Sequence, residues 1–206
     1  MTKEIIYIGD PMCSWCWGFS PVINAIRHDF NHEAPLSIIL GGLHAYDDFP
    51  MSNDYKTNIR HHWQDVNTAT GAIFDYRFFD RDKFILDTEP ACRAVVTIRQ
   101  IKPESVLLFY ESISRSFYSE NKDTTVLKTF KLLVEELDID FKEFDKKFHS
   151  EHTKIETGTD FQFSKKIGVT GFPTLLVKED EKLALLTAGY KPYKTLRPVI
   201  ENWLSS

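Results

Sequence analysis

Ile5-Ile6-Tyr7-Ile8-Gly9-Asp10-Pro11-Met12-Cys13-Ser14-Trp15-Cys16 is the stretch on which the fold turns. Four apolar residues make a short strand. Gly9-Asp10-Pro11-Met12 is a turn, and the two cysteines stand at the start of the helix that follows. Cys-x-x-Cys by itself fits either zinc or redox chemistry; at a strand–turn–helix junction it reads as a redox pair. There the first thiol lies beside unpaired helix N–H groups and the positive end of the helix dipole. Both favour thiolate, the nucleophile of disulfide exchange. Cys16, one turn on, is placed to attack a mixed disulfide formed on Cys13.

Downstream, Ser20-Pro21 looks like an N-cap followed by proline at the first helical position, so we expect the helix to kink or restart there. Val22, Ile23, Ile26 and Phe30 carry its apolar face. Pro35 opens a second strand, Leu36 to Leu40, ending at Gly41-Gly42. A strand–helix–strand unit of this kind implies parallel pairing.

From about residue 50 to 155 the pattern is helical. Ser52 can cap a helix with Ile59, Trp63 and Val66 on one face. Thr88-Glu89-Pro90 starts another, and Pro103 breaks it and opens a third. Asp123 can cap a fourth, carrying Phe130, Leu133 and Val134. Phe141, Phe144 and Phe148 stripe a short fifth, which reads as core. Thr159-Asp160 is read as the start of a helix ending at Gly168. Gly171-Phe172-Pro173-Thr174 leads into a strand, Leu175 to Val177. Glu179-Asp180-Glu181 turns the chain into a second strand, Leu183 to Leu186, as a hairpin. A last helix follows from about Tyr193. The two ends thus read as β-α-β and α-β-β-α halves of one sheet, with a helical block spliced between them that can pack as a lid over the cysteine end.

Composition narrows the function classes. With 206 residues, 42% of them hydrophobic, and 16 Phe, 8 Tyr and 4 Trp, the chain can fill a core as one domain or as a domain with a large insertion. A formal net charge of -5 weighs against nucleic acid as the main partner. No apolar run approaches the roughly 20 residues that cross a bilayer, so no membrane role is expected. The N-terminus shows no basic region followed by a long apolar stretch, and 3 cysteines are no disulfide scaffold. The cytosol is the expected compartment. Zinc at Cys13 and Cys16 would need two further ligands from Cys92 and scattered histidines, and no metal is expected. His61 and His62 are adjacent, so one is expected to face the core and one solvent. Cys92, on an apolar helical face, reads as a buried structural thiol. Asp10 reads as a turn residue, with a proton relay for Cys16 as the alternative.

The two motifs at opposite ends of the chain, Cys13-Ser14-Trp15-Cys16 and Gly171-Phe172-Pro173-Thr174, resemble those of the DsbA family of the thioredoxin superfamily, and the likeness spans essentially the whole chain. Trp15-Cys16-Trp17-Gly18-Phe19 is similar to the unexported, bacterial-type members. The resemblance implies an α/β, thioredoxin-like fold with a large all-helical insertion: residues 1–48 and 156–206 as a discontinuous thioredoxin-like domain, 49–155 as the insertion. It implies Cys13 and Cys16 as the catalytic pair of a thiol–disulfide oxidoreductase. It also implies a cis Pro173 facing them; on the residues alone, a trans proline at a strand start remains open. Phe172, Pro173 and Thr174 would then meet substrate, with the Phe172 backbone open to strand-like pairing.

Ser14 and Trp15 stand where well-known DsbA proteins carry Pro-His. Trp15 brings no positive charge, so a higher Cys13 pKa and a more reducing couple are expected. The implied partners are a disulfide-bearing protein, peptide or glutathione, and a cellular thiol reductant. No cofactor is expected beyond glutathione as a co-substrate. The alternative is a glutathione-dependent enzyme of the kappa-transferase or 2-hydroxychromene-2-carboxylate isomerase type, which shares the split layout but uses a serine near the position of Cys13.

Overall fold

Two strands from the start of the chain and two from its end make a single sheet in the order β2-β1-β3-β4. The computed structural model describes residues 2–206. β1 (Lys3–Gly9) pairs in parallel with β2 (Leu36–Leu40) and antiparallel with β3 (Thr174–Glu179), and β3 forms a hairpin with β4 (Lys182–Ala188). Ile5 and Ile8 in β1 are wholly buried, as a central strand covered on both faces requires. α1 (Ser14–Phe30) joins β1 to β2, and α8 (Tyr193–Ser205) packs beside α1.

Between β2 and β3 lie α2 (Asn53–Thr70), α3 (Glu89–Ile101), α4 (Val106–Tyr118), α5 (Leu127–Glu135), α6 (Phe141–Phe148) and α7 (Glu151–Lys166). One hydrophobic core runs through sheet and helices together, from Ile5 and Phe19 to Phe109 and Phe144. Trp63 of α2 is its aromatic centre, with Phe74, Phe78, Phe79 and Tyr118 at ring-centroid distances of 5.1, 5.1, 4.7 and 5.1 Å. These contacts fix α2 against α4 and so fix the wall it presents to the cysteine end. Among the described residues, no helix is long and apolar enough to cross a membrane.

Four expectations need correction. α1 runs unbroken through Pro21. Ser20 is no cap; its Oγ donates to the Cys16 carbonyl at 3.4 Å, inside the helix. Asp123 does not cap α5, which begins four residues later; its carboxylate instead accepts from the Thr125 N–H at 2.9 Å, closing the preceding turn. α7 starts at Glu151 rather than Thr159, capped by Ser150, whose Oγ accepts from the Thr153 N–H at 3.3 Å. The expected boundary at 155/156 therefore falls inside α7. His61 and His62 are both exposed, because the core-facing positions of α2 are taken by Trp63 and Val66.

α7 is held by charge as well as by packing. Arg99 of α3 reaches Glu156 and Asp160 of α7 at 2.8 Å each and donates to the Ile38 carbonyl of β2 at 3.1 Å. Asp160 also accepts the Leu40 N–H at 3.0 Å, so one guanidinium and one carboxylate tie α3, α7 and the β2 edge together.

Candidate active site

Cys13 is the N-cap residue of α1, with extended backbone (φ -96°, ψ 120°), and its side chain makes no capping bond. The N–H of Cys13 donates to the Asp10 carbonyl at 3.0 Å, and its own carbonyl accepts from Trp17 at 3.0 Å. The sulfur is therefore free of the cap and points across to the far end of the chain: Cys13 Sγ lies 3.7 Å from the Phe172 carbonyl oxygen. Cys16, in the first helical turn, is 0% exposed, whereas Cys13 is 6% exposed. No acidic residue stands in the first turn of α1, so nothing there opposes the helix dipole acting on a thiolate.

The two thiols titrate together. The hydrogen bond to Cys16, and then burial, push the Cys13 thiol well above its ordinary value. Burial works against ionisation of Cys16 as well, but hydrogen bonds from Cys13 and Tyr7 outweigh it and hold that thiol below its ordinary value. The pair thus gives up one proton readily and keeps the second, a single negative charge shared by two sulfurs. Beneath them the hydroxyls of Tyr7 and Tyr110 meet at 3.1 Å. Burial raises both tyrosines well above their ordinary value, so they stay protonated and remain donors. Gly9 is needed here: a Cβ would lie 2.7 Å from the Tyr7 hydroxyl and 2.8 Å from that of Tyr110.

Asp10 braces the turn. Its carboxylate, 0% exposed, accepts the Met12 N–H at 2.8 Å and the Leu43 N–H at 2.7 Å, and Cys92 Sγ donates to it at 3.5 Å. One side chain thereby joins the cysteine turn, the segment after β2 and helix α3. Burial pushes its carboxyl up despite these bonds. Cys92 is buried, and burial raises its thiol well above the ordinary value, which keeps it from ionising.

The Phe172–Pro173 peptide bond is cis. Pro173 accepts the Gly189 N–H at 2.7 Å, and Thr174 Oγ1 donates back to the Gly171 carbonyl at 2.9 Å, so Thr174 is turned inward and holds the loop. The Phe172 ring lies over Gly41, where a Cβ would come within 2.0 Å of it.

Cys13 opens onto a cavity of about 680 Å³. Ser14 and Trp15 form its rim on one side, Gly171 and Phe172 on another, and α2 with His44 the third. Trp15 leans on Tyr190 at 6.0 Å between ring centroids. Tyr55 Oη and His44 Nε2 are 2.9 Å apart, and His44 Nδ1 lies 3.2 Å from Asp47. The structure thus brings Cys13, Ser14, Trp15 and Phe172 to one cavity. The sequence reading missed His44, Tyr55 and Asn58 on its far wall, and the tyrosine pair under Cys16. The continuous apolar run of β1 marks Tyr7 only as a core residue, and polar positions on α2 look like any solvated helix face.

A fold of this kind, with a Cys-x-x-Cys helix start facing a proline loop, defines a thioredoxin-like redox protein, and comparison with known proteins narrows the class. A family model described as Thioredoxin matches residues 102–197. The crystal structure of a candidate protein disulfide isomerase from Nitrosomonas europaea is 38% identical, with a TM-score of 0.92, and the match covers 100% of this chain and 98% of that one. The cytosolic disulfide reductase DsbM from Pseudomonas aeruginosa, solved also with GSH, is 22% identical with a TM-score of 0.81 over 98% of each chain, and shares the fold. The ClpXP adapter protein SpxH of Halalkalibacterium halodurans is 21% identical, over 98% of this chain and 67% of that protein. The chain belongs to the DsbA-like family of the thioredoxin superfamily.

Proposed function

We propose that the protein is a thiol–disulfide oxidoreductase working in the direction of reduction or isomerisation, with Cys13 as nucleophile and Cys16 as resolving thiol. The observation that carries this reading is the 3.7 Å approach of Cys13 Sγ to the Phe172 carbonyl at the mouth of the cavity. The accessible sulfur of the pair is thereby set beside backbone that can align a substrate chain.

The shared proton moves to Cys16, leaving the thiolate on Cys13. Cys13 Sγ attacks one sulfur of a substrate disulfide; that S–S bond breaks, and the other substrate sulfur leaves as thiolate and takes up a proton. Cys16, its proton lost, then attacks Cys13 Sγ. The mixed disulfide breaks, the second substrate thiol is released, and Cys13–Cys16 closes. Two electrons have passed to the substrate, and a cellular thiol, such as glutathione, returns them. In isomerisation the released substrate thiolate re-attacks elsewhere, with no net electron flow. Tyr7 and Tyr110 donate to the buried sulfur while it carries charge.

Three features support the reductive direction. No cation stands between the cysteines to hold a thiolate strongly. The Nitrosomonas relative is described as a candidate isomerase and the Pseudomonas one as a cytosolic reductase, the compartment proposed here too. The Pseudomonas protein was solved with GSH, which supports glutathione as a small thiol partner.

The test is a trap. Cys16→Ser leaves Cys13 able to attack but unable to be released, so mixed disulfides on Cys13 should accumulate and be read by mass spectrometry. Absence of any adduct on Cys13, together with turnover of a non-disulfide glutathione conjugate, would move the assignment to the glutathione-dependent transferase or isomerase class.

A further inference from the structure

Each cycle of disulfide exchange needs a proton at a place the cysteine pair does not reach. A thiolate displaces sulfur in line, so the departing substrate sulfur lies about two S–S bond lengths, roughly 4 Å, beyond Cys13 and moves away across the cavity. An alkyl thiolate leaves more slowly than the thiolate of an acidic thiol. A proton donor on the opposite wall speeds that departure.

The opposite wall carries Tyr55 and His44. Tyr55 Oη lies 2.9 Å from His44 Nε2, and His44 Nδ1 lies 3.2 Å from Asp47. An imidazole protonated on both nitrogens gives Nδ1–H to the Asp47 carboxylate and Nε2–H to the Tyr55 oxygen. The phenol proton is then left to face the cavity. Burial, and after it the Asp47 charge, raises the Tyr55 phenol above its ordinary value, so the hydroxyl keeps its proton until a basic sulfur arrives. The His44 side chain is 24% exposed and that of Asp47 50%, so the array is sheltered at its inner end and open to water at its outer end.

The fold ties this array to the nucleophile. Asp10 accepts the N–H of Met12, next to Cys13, and the N–H of Leu43, next to His44. One buried carboxylate thus sets the separation of thiol and imidazole. From the other side, the His44 N–H donates to Thr88 Oγ1 at 3.2 Å, and the His44 carbonyl accepts the Thr88 N–H at 3.3 Å. The turn is held firmly enough to keep Tyr46 at φ +70°, a conformation unfavourable for a bulky side chain. Tyr55 stands in the first turn of α2, its N–H bound by the Ser52 cap at 3.1 Å. His61 and His62 also border the cavity, but both are exposed to solvent.

The structure assigns to Tyr55 the role of general acid toward the departing substrate sulfur, with His44 and Asp47 as positioning residues that supply its next proton. This rests on the oxidoreductase reading above and adds a catalytic residue to it. As the substrate S–S bond breaks, its electron pair goes to the departing sulfur, which takes the proton of Tyr55 Oη. The Nε2 proton of His44 passes to the same oxygen. The imidazole is left neutral, still donating Nδ1–H to Asp47, and takes its next proton from water.

The test follows a single turnover of the reduced, intact protein by stopped flow with two small disulfides. Hydroxyethyl disulfide releases an alkyl thiolate, which benefits from a proton; dipyridyl disulfide releases the anion of an acidic thiol, which does not. Tyr55→Phe keeps the ring against His44. It should slow attack on hydroxyethyl disulfide by about tenfold, modest for acid catalysis because an alkyl thiolate also leaves unaided. It should leave attack on dipyridyl disulfide unchanged. His44→Gln should show the same discrimination to a smaller degree. Equal losses on both probes would mean that Tyr55 only shapes the cavity and would overturn the proposal, as would no loss on either. A selective loss in His62→Asn matching that of Tyr55→Phe would also overturn it, giving the proton to an exposed imidazole. If the wild type attacks neither probe, the oxidoreductase reading itself fails, an outcome distinct from every comparison of variants.

Discussion

Tyr7→Phe removes one hydroxyl and keeps the ring. The ring packs against Phe19 and Tyr110 and does not depend on the oxygen. The variant should lose about 1 kcal/mol with the Tyr110 hydrogen bond. Its thiol pair should ionise at higher pH, because a donor to the Cys16 sulfur is gone. Ultraviolet thiolate absorbance against pH reads this directly, and an unchanged titration curve would mean that the tyrosine is packing only. Asp10 gives a second residue-scale test. An acid raised in the fold holds its proton more tightly folded than unfolded. Its contribution to stability is complete below the ordinary value of 3.8 and is lost as pH rises through the raised value. The stability of wild type relative to Asp10→Asn should therefore fall as pH climbs through that window, measured by denaturant unfolding at a series of pH values. At this scale residue type and spacing single out Cys13 and Cys16, whereas the cis form of Pro173 was implied only by the family resemblance. The sequence is silent on Tyr7 and His44, whose types are ordinary for a strand and a loop and whose roles come from what the fold sets opposite them.

At the scale of elements, Arg99→Met should cost about 3 kcal/mol, since it leaves Asp160 mostly buried without its cation and loosens α3, α7 and β2 together. Chemical unfolding measures it, and Asp160→Asn in the Arg99→Met background should recover part of the loss. The same network explains why α7 was hard to read. Its buried positions are Thr153, Thr157, Asp160 and Ser164, a polar stripe at helical spacing. A search for apolar periodicity finds its end at Gly168, where φ is +79°, but not its beginning. Pro21 misled for a related reason. A proline after serine is a start signal in isolation, but a helix already nucleated by the cysteine turn runs through it, and α1 is held on both sides by core contacts of Phe19, Val22 and Ile23. The strands were legible because each is a short apolar run bounded by Gly or Pro, and the parallel β1–β2 unit and the terminal hairpin could be read from them; the antiparallel junction of β1 with β3 that sets the sheet order could not.

For the molecule as a whole, the redox couple should lie nearer the about -270 mV of thioredoxin than the about -120 mV of strongly oxidising DsbA. Ser14 and Trp15 add no positive charge beside Cys13, and the hydrogen bond to Cys16, then burial, hold its thiol well above the ordinary value. Equilibration against glutathione redox buffers measures the value, and a potential close to the oxidising extreme would contradict the charge argument.

The sheet has one more consequence, for the order in which the molecule is made. Cys13 and the Phe172 carbonyl it faces are 159 positions apart, and β1 finds its β3 partner only when the last part of the chain exists. At translation rates of about 5–20 residues per second, the cysteine turn emerges on the order of 10–30 s before the proline loop is synthesised. Through that interval the dithiol waits on the ribosome with no proline loop to face it. The reactive centre is completed late in the synthesis of this chain, and a messenger cut short before β3 would yield a free dithiol with no loop to guide what it attacks.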